Sequence, residues 1–153
     1  MKKYGLVILV ALLAFSCDSE EDNSDTERIL VEQTLIVSDN LYGNGDEELV
    51  SQNMVITNQN AWDALIAQLD SVNNVSGHFS ETAIDFSLYT VIAVLDEIKG
   101  SGGHSLELSI MSNTENILVH VTDLAPEGNA TTVITQPFII VKISNSDMPI
   151  VFE

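Results

Sequence analysis

The stretch YTVIAVLDEIKGSGGHSLELSI, Tyr89 to Ile110, decides the fold. Its first part is a continuous apolar run, the pattern of a strand buried on both faces. Its last part alternates, placing Leu106, Leu108 and Ile110 on one face of a second strand. Between them lies GSGGHS, Gly100 to Ser105, with Ser101 beside three glycines and a histidine. Gly102 and Gly103 can take positive φ or admit a close backbone. The segment is expected to be a tight hairpin connection between two strands, with His104 opening the second. Its alternative role is a loop contacting a partner, since loops on rigid scaffolds often carry recognition.

The neighbouring sequence extends the pattern. NILVHVTDLA, residues 116–125, sets Ile117, Val119 and Val121 against Leu118, His120 and Thr122. QPFIIVKIS and MPIVFE supply the closing strands. Upstream, ILVEQTLIVSD reads as one strand rich in β-branched residues, and NMVIT as a short one. YGNGDEE between them is a turn, with Asn44-Gly45 a strong hairpin dipeptide. One helix is expected, in NQNAWDALIAQLD. There Trp62, Leu65, Ile66 and Leu69 recur at helical spacing, Asn58 is the N-cap, and Asp63 is placed to favour the helix dipole. Burying those four side chains is worth about 6–12 kcal/mol before chain entropy, so the helix must dock on a sheet. The expectation is an α+β fold, six or seven mostly antiparallel strands with one amphipathic helix packed on them, and a β-sandwich as the alternative. No internal repeat is visible.

The N-terminus sets the compartment. Lys2 and Lys3 precede the apolar run LVILVALLAF, which has signal-peptide length and falls short of the roughly 20 residues that span a bilayer. Cys17, the only cysteine, follows directly and is the expected lipidation site of a bacterial lipoprotein. Ordinary secretion with cleavage after Ser16 is the alternative. Residues 1–16 form the signal peptide, 17–28 an acidic tether, and 29–153 a single domain. The acidic residues after Cys17 resemble the surface-export signal of Bacteroidetes outer-membrane lipoproteins.

The 153-residue chain carries a formal charge of −18. Beyond residue 16 only Arg28, Lys99 and Lys142 face 23 carboxylates. This argues against nucleic acid, whose binding rewards clustered Lys and Arg, and against adsorption to anionic lipid. A basic protein partner is compatible. Calcium- or glycan-binding is the alternative function, although DNLYGNGDEE departs from the calcium-loop order because Leu41 holds its third position.

Catalytic readings are weak. A Ser101 nucleophile needs a general base and an orienting carboxylate. His104 is only three residues away, a local pairing that established triads do not use. A phosphate cradle would need a helix after the glycines, whereas a strand pattern follows. The histidines, His78, His104 and His120, lack metal-ligand spacing. No cofactor, metal or enzyme activity is expected.

Four ordered motifs carry a family likeness: DFSLYTVIAVL, GSGGHSLELSI, NILVHVTDLAPEG and QPFIIVKISNSDMPIVFE. Together, over residues 84–153, they resemble the C-terminal domain of PrcB-type protease-complex subunits. In that family an Asp-Phe pair precedes a buried strand, and a Gly-Gly-Tyr turn opens an alternating one. A Pro-aromatic strand ending in lysine closes the domain. Asn60-Ala61-Trp62 resembles the segment upstream. His104 departs from the family, standing where tyrosine is usual. The resemblance implies a non-catalytic, lipid-anchored accessory subunit of an exported protease complex, with Gly102, Gly103 and His104 as candidate partner-binding residues.

Overall fold

The computed structural model describes residues 28–128 and 130–153. Its elements are β1 (Ile29–Leu30), β2 (Gln33–Leu41), β3 (Gln52–Ile56), α1 (Gln59–Leu69), β4 (Tyr89–Leu95), β5 (Ser105–Ser112), β6 (Ile117–Leu124), β7 (Gln136–Ser144) and β8 (Ile150–Phe152), with a short 3-10 turn at Ser76–His78. The strands form two four-stranded sheets, ordered β1-β5-β6-β8 and β2-β7-β4-β3. All pairings are antiparallel except β6 with β8. The α+β fold expected from the sequence is the one observed, with eight strands instead of six or seven.

Three layers explain the apolar patterns. Between the two sheets, Ile92 and Val94 of β4 and Ile139, Val141 and Ile143 of β7 pack on Leu106, Leu108, Ile110, Ile117 and Val119. On the far face of the second sheet, Val91, Ala93, Leu95, Phe138 and Ile140 pack under Trp62, Leu65 and Leu69 of α1. β4 and β7 are therefore covered twice, which is why their sequences run apolar without alternation. β5 has one buried face and alternates. The expected helix-on-sheet and sandwich arrangements thus occur together, sharing the β4/β7 sheet.

The helix follows its sequence pattern. The Asn58 side chain accepts a hydrogen bond from the Ala61 amide at 3.0 Å, and Trp62, Leu65 and Leu69 are buried with Ile66 beside them. The Trp62 indole N–H donates to the Thr82 carbonyl at 2.8 Å, so the ring is buried without orphaning its polar atom. Asp63 sits beyond the first turn, where the dipole is weaker, and instead accepts from Gln59 at 2.7 Å.

Three local expectations are corrected. Residues 29–39 do not form one strand: the chain leaves β1, crosses between sheets at Val31 and Glu32, and begins β2. Asn44 (φ 56°) and Gly45 (φ 92°) do adopt the left-handed conformation, yet they join no hairpin. β2 and β3 lie at opposite edges, because β7 and β4, the most apolar strands, occupy the centre. The Gly100–Ser105 segment is not a hairpin either. Both flanks of β4 are taken by β3 and β7, so the chain passes to the other sheet before β5 starts.

Candidate functional site

The glycine segment is clamped against the connection that leads into β7. Lys99 and Thr135 exchange backbone hydrogen bonds at 2.7 and 3.1 Å, and the Gly102 N–H donates to the Thr131 carbonyl at 3.1 Å. The Thr135 hydroxyl donates to the Ser101 carbonyl at 3.0 Å. A Cβ on Gly102 would collide with the Thr131 hydroxyl, and one on Gly103 would meet Pro126 at 2.9 Å. Gly103 also has φ +88°, a conformation that suits glycine. Internal packing thus accounts for both glycines, Gly102 being buried and Gly103 exposed.

A polar cluster closes the crossover. Lys99 Nζ lies 2.7 Å from Asp96 Oδ2 and 2.8 Å from Asp123 Oδ2, joining the end of β4 to β6. The hydrogen bonds that Lys99 donates to Asp123 and then to Asp96 raise its pKa above the ordinary value. His104, with a side chain 16% exposed, places Nε2 at 3.2 Å from Ser101 Oγ and Nδ1 at 3.9 Å from Asp123 Oδ1. The fold therefore brings Ser101 and His104 together, a pairing that their three-residue spacing does not favour for a triad. The triad geometry is incomplete. The imidazole–carboxylate separation exceeds a hydrogen bond, and Asp123 is instead paired with Lys99. The Gly102 amide, the natural oxyanion donor after a Ser101 nucleophile, is spent on Thr131.

Next to this cluster the two sheets part. β1 pairs with β5 only at Met111 and Ser112, and Val31 N–H adds one bond to the Ile110 carbonyl. Below that point no strand is hydrogen-bonded to β5 on this side, although β2 passes near it. The even-numbered carbonyls face the opening. Gln33 of β2 reaches over to donate to Leu108 O at 3.0 Å, and Asn40 donates to His104 O at 3.1 Å. The opening is a groove of 420 Å³ whose apolar lining includes Leu35, Leu106, Leu108, Ile139 and Val141, with Glu107 at its rim. Leu35 is 52% exposed there. The facing edge of β2 is covered: Ser80 N–H donates to Ile36 O at 2.9 Å, its hydroxyl to Leu35 O at 3.1 Å, and His78 pairs with Asp39 at 2.8 Å. On the β5 side the Leu108 and His104 carbonyls are held by side chains and not by a strand.

The other sequence candidates are dispersed. Cys17, with the signal-peptide and tether readings up to residue 27, lies outside the described residues. Arg28, the last residue assigned to the tether, reaches Glu153 at 3.5 Å. His120 is exposed on β6. The acidic turn folds on itself, with Glu47 buried and accepting from the Gly43 amide at 3.0 Å. Asp85, of the Asp-Phe pair, accepts from the Ser87 hydroxyl and amide, which lower its pKa, and Phe86 packs on the helix-side core. Among the described residues no three His, Cys, Asp or Glu side chains converge as a metal site, and no helix is long and apolar enough to cross a membrane.

Fold and site together define a helix-backed β-sandwich in which part of the β5 edge lies without a paired strand beside an apolar groove. Comparison with protein-family models, curated proteins and solved structures found no match.

Proposed function

We propose that this chain is a non-catalytic, lipid-anchored surface protein that binds another protein, the partner being an exported protease. The observation that carries the reading is the β5 edge beside the apolar groove, which side chains cap but no strand pairs, the kind of edge that binding modules leave open. The −18 charge and the Cys17 context are consistent with a tethered surface module seeking a basic partner. The motif order over residues 84–153 supplies the protease as the class of partner. The test is affinity capture of the tagged chain from detergent-solubilised membranes with quantitative mass spectrometry. Specific enrichment of a protease supports the reading, and its repeated absence refutes the partner class. In parallel, Cys17→Ser should abolish palmitate labelling and release the chain from membranes.

A second reading, a hydrolase built on Ser101, has one observation in its favour, the 3.2 Å approach of His104. Esterase assays with small acyl substrates decide it. Ser101→Ala should leave any hydrolysis by the preparation unchanged if Ser101 is only a structural residue.

A further inference from the structure

We propose that the edge of β5 from Ser105 to Ser109 is a strand-addition site for an extended basic segment in which apolar residues alternate with Lys or Arg. This rests on the protein-binding reading above and names the chemistry of the occupant. Gln33 and Asn40 cap the Leu108 and His104 carbonyls with side chains, so each cap can swing away without breaking a ladder. Between them the Leu106 main chain faces the groove with no strand hydrogen-bonded to it. Five residues of edge are about 17 Å long, enough for a short strand to pair.

The alternation follows from the register. Even residues of β5 point into the inter-sheet core, and odd residues point out. An added strand would place every second side chain inward, over Leu35, Ile139 and Val141. Its remaining side chains would lie outward beside Glu107, which is exposed. Opposite charges across a strand pair are favourable and like charges are not. Charge also selects among occupants. A second copy brings another −18 to the same edge, and the chain's own DSEEDNSDTE, residues 18–27, is acidic and has no apolar residue for the floor.

The experiment titrates the full chain in neutral detergent with a short peptide of alternating Val and Lys. Controls are a Val/Glu peptide and a Val/Lys peptide N-methylated at alternate residues. Saturable binding of the Val/Lys peptide is expected, weakened at least about tenfold by N-methylation, since backbone pairing is lost. Glu107→Lys, an exposed change compatible with folding, should reverse the preference towards Val/Glu. Equal binding of the N-methylated peptide, or a preference unmoved by Glu107→Lys, overturns the proposal. So does self-association that buries this edge in sedimentation measurements. If no peptide binds but a protease is still captured from membranes, strand addition fails and the protein-binding reading stands. If the peptide binds and no protease is captured, the partner class fails.

Discussion

The Gln33 side-chain amide of β2 donates to the Leu108 carbonyl of β5 at 3.0 Å, across the gap between the two sheets. A side chain from one sheet thus satisfies the edge of the other where a strand is missing. Asn40 does the same for His104. Gln33→Ala and Asn40→Ala should each cost about 0.5–1.5 kcal/mol, the net worth of one hydrogen bond. Urea denaturation measures the loss. An unchanged midpoint in the double variant would show that water replaces both caps without penalty.

Trp62 anchors α1 to the outer face of the β4/β7 sheet. Trp62→Ala should cost about 3–5 kcal/mol through the cavity it leaves. Trp62→Phe keeps most of the packing but leaves the Thr82 carbonyl without its donor, for about 1–3 kcal/mol. Equal costs for the two variants would mean that the indole hydrogen bond dominates over volume.

The two glycines of the crossover should fail for different reasons. Gly103→Ala is strained by its φ of +88°, at about 1–2 kcal/mol, whatever surrounds it. Gly102→Ala is blocked by the Thr131 hydroxyl. Thr131→Ala should therefore rescue Gly102→Ala and leave Gly103→Ala unrescued. A double-mutant cycle reads that coupling, because contacting residues are non-additive.

Lys99 links stability to alkaline pH. Its folded pKa is raised by Asp123 and Asp96, so the folded state holds the proton more tightly than the unfolded chain does. That contribution is complete below the unfolded lysine pKa and disappears as pH rises through the folded value. Lys99→Met should be less stable at neutral pH and lose part of the alkaline dependence. Parallel pH–stability curves for the two proteins would contradict this assignment.

The layers were largely legible in the sequence, and the connections were not. The unbroken apolar run of β4 and the alternation of β5 state how many faces each strand buries. Trp62, Leu65 and Leu69 state that a helix covers something. Which strand neighbours which is a long-range matter: β2 pairs with β7 about a hundred residues on, and local turn chemistry at Asn44-Gly45 does not reveal it. The same holds for the site. Glycine at 102 and 103 signals a tight backbone but not that Thr131 and Pro126 are the neighbours. Gln33 and Leu108 are 75 positions apart, and no sequence pattern marks a glutamine that caps a strand edge. Three-residue spacing is unusual for a triad and does not mark the Ser101–His104 approach, yet a crossover loop that doubles back brings such residues together.

The most direct measurement is hydrogen–deuterium exchange of the full chain, alone and saturated with the alternating Val/Lys peptide. The account predicts new protection concentrated at Ser105–Ser109, with little change over α1 and β3. Protection confined to α1, β3 or the acidic turn at 42–48, with the β5 edge still exchanging freely, would contradict it.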